Sequence, residues 1–324
     1  MSHCFSFRRA AVLFALGLTL AAVSSAQTVW PTRPLRLIVG FPAGSTPDIS
    51  ARALADGLAK SLGQAVIVEN KPGASGNIAA DQVAKARDDH TLGVVINGNL
   101  TSAKMLYPKL GYDPTKDFSL ISLLTTAPLV LVAPPNLPGG AEFFAAARAA
   151  GSQWNYGSVG LGSVGHLGME LLQTKVGKMS AVHVPYPGNP QIVTAIVGGQ
   201  VQMALVPPGI AMPLVHAGRL RAIGLSGGRS TLVPDVAPLS EAGVRDFKLE
   251  VWTALVGPAS LSKAAQQRLS VVVPLAMHDA QTRQLLFNQG WTAVGTSPEG
   301  LRTRIQEETA LLGGIISTRG IRLE

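Results

Sequence analysis

The sequence predicts an α/β protein built as two lobes, and three observations carry that prediction. Short apolar runs of strand length alternate with segments of helical period from Leu35 onward, the pattern of domains built on parallel strands. Two glycine-rich loops, Gly40 to Ser45 and Gly160 to Gly165, each follow a strand and open a helix. The chain has 324 residues, 47% of them hydrophobic, enough for one large core or two moderate ones.

The first unit can be read residue by residue. Leu35 to Val39 is a buried strand. Thr46 is placed to cap a helix, Pro47 suits its first position, and Asp48 favours its positive end. Ile49, Leu54, Leu58 and Leu62 recur at roughly helical spacing, and Gly63 can stop the helix. Later strands are predicted at 65–68, 91–96, 129–132, 154–158, 181–184, 201–206, 220–225 and 249–256, and helices at 78–86, 142–150, 166–176 and from 263 onward. The units divide into lobe 1, residues 27–130 plus 249–324, and lobe 2, residues 131–248. A cleft between lobes is a common place for a small-ligand site.

Residues 1–26 read as an export signal. Arg8 and Arg9 precede an apolar run from Ala10 to Val23, and Ser24-Ser25-Ala26 follows. The run is short for a membrane span. Its removal takes two arginines and no acid, lowering the net charge from +8 to +6. The single cysteine, Cys4, lies in this segment, so the exported chain has no disulfide and no cysteine-based metal site. Nucleic acid is a poor partner: aromatics make up only 5%, and no basic run exceeds Arg8-Arg9. A modest positive field instead favours the arrival of small anions.

Gly160-Leu161-Gly162-Ser163-Val164-Gly165 fits the dinucleotide fingerprint, but no acid occurs between Glu170 and Asp235 to hold a ribose. No cofactor is therefore expected. Glycines still allow close backbone approach, and free N–H groups at a helix start attract any anion. The loop from Ala43 and Gly44 to Asp48 offers the same device, with Ser45 and Thr46 adding hydroxyls. Asp48 can order that loop or meet a donor on a ligand. Asn97-Gly98 resembles a hairpin turn, yet Thr101 and the apolar residues after it favour a strand-to-helix loop. Asn97, Asn99 and Thr101 could then hydrogen-bond a carboxylate or its waters. His166 either meets a ligand or packs, and His183 reads as a satisfied core histidine. No nucleophile elbow and no metal-binding histidine spacing occur, so no enzyme is indicated.

Markers spread along the chain resemble the Bug (TctC-like) family of extracytoplasmic solute receptors associated with tripartite tricarboxylate transporters. They include Arg33-Pro34-Leu35, Phe41-Pro42-Ala43-Gly44 with Asp48, Val68-Glu69-Asn70-Lys71-Pro72-Gly73 with Gly76-Asn77, and Tyr112-Asp113-Pro114. Asn155-Tyr156-Gly157-Ser158, His183-Val184-Pro185-Tyr186, Gly198-Gly199-Gln200-Val201 and Ala217-Gly218-Arg219-Leu220 follow in order. The resemblance implies a type II periplasmic binding protein whose two α/β lobes close about a hinge like a Venus flytrap, a monomer with membrane permease subunits as partners. It implies that a ligand carboxylate is held by the loop after the first strand and by Asn97 to Thr101. Contacts from the second lobe come from Ser158, Gly162, Ser163 and His166, and from the strand end after Met203.

The sequence departs from the family pattern at two of these places. Ser45 stands where relatives carry a second glycine, and Val206 where many carry an aspartate. Val206 cannot pair with an ammonium, so a carboxylate without a charged amine is the expected ligand. The reading is a receptor capturing a small organic anion for uptake. Signalling to a membrane sensor and an exported hydrolase are the alternatives.

Overall fold

A computed structural model describes residues 30–322; the export signal expected over residues 1–26 lies outside the described residues. Two sheets organise the chain. The first contains β1 (Leu35–Val39), β2 (Val66–Asn70), β3 (Thr91–Ile96), β4 (Phe118–Pro128), β10 (Glu250–Pro258) and β11 (Thr292–Ala293), in the order β11-β4-β10-β3-β1-β2. The second contains β5 (Val130–Ala133), β6 (Asn155–Ser158), β7 (Val182–Pro185), β8 (Met203–Val206) and β9 (Arg221–Leu225), in the order β7-β6-β8-β5-β9.

The helices are α1 (Thr46–Leu62), α2 (Asn77–Ala84), α3 (Asn97–Leu100), α4 (Ala103–Leu106), α5 (Gly140–Ala150), α6 (Val164–Val176), α7 (Asn189–Val197), α8 (Pro208–His216), α9 (Lys263–His278), α10 (Ala280–Asn288) and α11 (Pro298–Arg319). Apolar content decides where each strand sits. All six residues of β3 are buried, which suits a central strand, whereas β2 is half-exposed at the edge. Arg36 closes that edge by donating from Nε and Nη2 to Glu69 on the paired strand, at 2.6 and 2.9 Å.

The sheets are mixed rather than parallel throughout. β1, β2 and β3 run parallel, as do β6, β7 and β8. β10 pairs antiparallel with both β3 and β4 in the first sheet, and β5 pairs antiparallel with both neighbours in the second. The long strand β4 has no counterpart in the sequence reading. Its core side includes Ser122 and Thr125, both fully buried, so hydroxyls interrupt the apolar run. They are satisfied internally: Ser122 Oγ donates to the Leu123 carbonyl at 3.1 Å, and Thr125 Oγ1 lies 2.7 Å from Thr253 Oγ1 and 3.0 Å from Ser50 Oγ, as buried polar groups require.

The two sheets are joined closely. β4 passes into β5 through Leu129 alone, and the chain returns through residues 226–249. One hydrophobic cluster runs through both halves, from Leu37 and Leu54 through Leu129 to Leu167 and Leu205. The C-terminal helix reinforces the join. α11 buries Leu312 and Ile315, and Arg319 at its end donates to Glu170 of α6 at 2.8 Å.

Candidate functional site: four helix ends around an uncharged cavity

The C-terminal ends of the parallel strands in both sheets face a common interior. Four of the strand-to-helix turns there start a helix of nine residues or more: α1 after β1, α6 after β6, α7 after β7 and α8 after β8. Ser45, Thr46 and Pro47 from the start of α1, Ser163, Val164 and Gly165 from α6, Gly188 and Asn189 from α7, and Pro207 before α8 line one cavity. Ile96, Asn97, Leu129, Leu205 and Val251 complete its wall with Phe41 and Val159. In this closed arrangement its volume is about 30 Å³, room for a water or two. An open groove of about 620 Å³ shares Phe41 and Val159 with it and leads outward.

Among the described residues no Asp, Glu, Lys or Arg lines the cavity. Its field therefore comes from dipoles. The first N–H groups of a helix have no intrahelical partner and carry roughly half a positive charge together. Four such ends converging on one small space can attract an anion without a cation.

The first loop is held open from behind. Asp48 accepts from the Gly44 N–H at 2.9 Å, from Arg52 Nε at 3.0 Å and from Asn70 Nδ2 at 2.9 Å. Burial works to raise its pKa, but the bonds from Arg52, Gly44 and Asn70 together lower it. Asp48 thus orders the loop, and its oxygens already accept bonds from the protein. Gly44 supplies the positive φ of +76° that turns the loop. Ser45 has φ −76° and carries no strain in place of a glycine. Ser45, rather than Thr46, is the N-cap residue, yet its Oγ makes no capping bond; buried and lining the cavity, it has no partner at all. Ala43 is exposed, outside the cavity.

Asn97 lines the cavity at the end of β3, and its Nδ2 donates to Glu308 Oε1 at 2.6 Å and to the Glu250 carbonyl at 3.3 Å. The strand-to-helix turn expected there is what forms. Asn99 and Thr101 work within it. Asn99 accepts from the Ile96 N–H and donates to the Ser75 carbonyl and to Asn77, and Thr101 donates to the Asn97 carbonyl. Neither lines the cavity.

The second loop is self-contained. Ser163 caps α6 by accepting from the His166 N–H, and its hydroxyl donates to the Gly160 carbonyl at 2.8 Å. His166 Nδ1 accepts from the Gly162 N–H at 3.2 Å. Its ring packs 4.2 Å from that of His183, whose Nε2 lies 2.6 Å from Ser158 Oγ. Burial lowers His166 to about 4, and burial together with His166 lowers His183 to about 3. Ser158 and His166 are thus interior supports of the loop and do not reach the cavity.

Gly162 faces the first half directly, its carbonyl accepting from Ser102 Oγ at 2.6 Å. A Cβ at Gly160 would meet Ser75 Oγ at 2.0 Å, and one at Gly209 would meet the Gln289 carbonyl at 1.8 Å. These glycines permit close approach between the two halves.

Val206 is fully buried in the core with Val130 and Val132, while Leu205 and Pro207 on either side of it line the cavity. Its side chain is therefore not what faces a ligand; among the described residues the cavity wall simply offers no carboxylate to pair with a charged amine. Asn189, Gly188 and Pro207 had a sequence signal that was passed over. A proline within the first two helical positions after a strand starts α7 and α8 as it starts α1.

The profile of the tripartite tricarboxylate transporter family receptor matches residues 50–321. Protein BugT of Bordetella pertussis is 32% identical over 311 residues, with 94% of each chain covered. MatC of Rhodopseudomonas palustris, solved with bound malate, is similar at 31% identity and TM-score 0.83, over 89% of this chain and all of that one. A second R. palustris protein, solved with adipate, is similar at 29% identity and TM-score 0.86, over 91% and 100%. These likenesses bear out the two-sheet periplasmic binding protein fold and a binding role in place of catalysis. The chain belongs to the receptor family of the tripartite tricarboxylate transporters.

Proposed function

We propose that this chain is a periplasmic receptor that captures a small organic carboxylate between its two halves for uptake through the membrane subunits of a tripartite tricarboxylate-type transporter. The observation that carries the reading is the convergence of four helix N-termini on a cavity without a charged side chain. Such a site holds a carboxylate by dipoles and hydrogen bonds. The ligands printed for two relatives, malate and adipate, are both carboxylates. Among the described residues no helix is long and apolar enough to cross a membrane, and no cluster of side chains could hold a metal ion.

A cavity of about 30 Å³ is too small for such a ligand, so entry requires the halves to part and close again. A ligand favours the closed form only by its differential affinity for it. Thermal unfolding with mono-, di- and tricarboxylates, aromatic acids and amino acids tests the proposal. At a hundredfold excess over Kd a bound carboxylate adds about 2.7 kcal/mol, a clear rise in Tm. If no carboxylate raises Tm, the proposal fails.

A further inference from the structure

Two buried polar atoms of the cavity wall have no partner: Ser45 Oγ and Asn97 Oδ1. They are not equivalent. A serine hydroxyl rotates and can donate or accept. Asn97 cannot choose. Its amide nitrogen faces Glu308 Oε1 at 2.6 Å and the Glu250 carbonyl at 3.3 Å, both acceptors. Turning the amide over would set Oδ1 against both of those oxygens.

Glu308 is itself fixed. It sits on α11, 6% exposed, and its Oε2 accepts from Trp252 Nε1 and faces Arg304 Nε at 3.4 Å. Donors meet one oxygen of Glu308, leaving the other for Asn97. We infer that Glu308 is a positioning residue that makes Asn97 present a hydrogen-bond acceptor to the cleft, so that the preferred ligand is a carboxylate bearing a hydroxyl.

An acceptor repels the oxygens of a carboxylate and rewards an O–H or N–H beside it. The donor is uncharged because four positive helix ends surround the cavity and no carboxylate faces it to balance an ammonium. A ligand without the hydroxyl leaves Oδ1 buried and unpaired, and sites of this type discriminate strongly against such a ligand.

This inference rests on the carboxylate-receptor reading, and the test separates the two. Affinities are measured by calorimetry for matched pairs: malate against succinate, lactate against propionate, mandelate against phenylacetate. Within a pair that binds, the hydroxylated acid should bind about tenfold to a hundredfold more tightly. Equal affinity within every binding pair overturns the inference and leaves the receptor reading standing. If no pair member binds, and no other carboxylate does, the receptor reading fails first.

The variant Glu308→Gln then tests the positioning. Trp252 and Arg304 require an oxygen, so the glutamine places Oε1 towards them and its NH₂ towards Asn97; the close donor at Glu308 outweighs the longer contact with the Glu250 carbonyl and turns the Asn97 amide so that Nδ2 faces the cleft. The hydroxyl preference should vanish or reverse while a carboxylate still binds. A purely structural role would weaken both members of a pair alike, and that result overturns the positioning role. If the variant does not fold, the wild-type ratios alone decide.

Discussion

The two glycine-rich loops look alike in sequence and differ in what they leave unsatisfied. Behind the first, Asp48 gathers Gly44, Arg52 and Asn70, and the network leaves Ser45 Oγ free in the cavity. In the second, Ser163, His166 and Gly162 bond to one another, and the remaining carbonyl of Gly162 is taken by Ser102 of the opposite half. Unpaired polar groups cost free energy when buried, so they persist where a ligand can complete them. In the proposed receptor the first loop, with Asn97 beside it, carries recognition, and the second supplies closure and the dipole of α6.

That comparison can be broken at the histidine pair, where the largest effect is expected. His166 and His183 titrate near 4 and near 3 in the folded protein and near 6.5 when unfolded. The unfolded chain takes up their protons first, so stability falls as pH drops from about 6.5 towards 4. On the order of 2 kcal/mol should be lost for each histidine between pH 7.5 and pH 5. Urea unfolding at the two pH values checks this, and a flat result would show that the second loop does not depend on neutral rings.

Next in size is Asp48→Ala. It leaves the Gly44 N–H and the Asn70 amide short of a partner, at a cost of about 2 kcal/mol in stability, with ligand binding lost as the first loop disorders. Arg52 is half exposed, so its share of the ion pair is small. Denaturant midpoint and calorimetry read the two effects separately. Asp48→Ala with undiminished affinity would move recognition away from the first loop.

Gly209→Ala tests closure without touching recognition. The new methyl meets the Gln289 carbonyl only when the halves are together. Small-angle scattering should show a more open molecule, and affinity should drop about tenfold, or roughly 1.4 kcal/mol, with little change in unfolding. The smallest effect is expected at Ser163→Ala. Loss of the α6 cap costs about 1 kcal/mol of stability, and ligand affinity stays near that of the wild type because the serine hydroxyl is already spent on Gly160.

Much of this arrangement was legible from local pattern. β1, α1 and β3 could be read because a single apolar face or an unbroken apolar run marks each, and Gly63 stops α1 in a left-handed cap at φ 66° as its position implied. β4 escaped because Thr125 is buried against hydroxyl partners 75 and 128 residues away, Ser50 and Thr253, which no local window shows. The site was half legible for the same reason. Ser45, Thr46 and Ser163 announce themselves as helix starts, while Asn97 depends on Glu308, 211 residues away. Asn99, Thr101, Ser158 and His166 are polar residues in or beside loops, and their side chains are consumed by the loops themselves. The family resemblance points to the strand end at Val206, but strand alternation turns Val206 into the core and presents Leu205 and Pro207 instead.

The dipolar wall bears on how cargo leaves. Three of the four helix ends, those of α6, α7 and α8, follow strands of the second sheet, and that of α1 follows a strand of the first. A membrane partner that pulls the sheets apart removes one group of attractions as a rigid piece. No ion pair has to exchange partners, and no side chain in the wall has to gain or lose a proton. In the proposed receptor, handover is then a matter of leverage on the frame rather than of chemistry in the cleft.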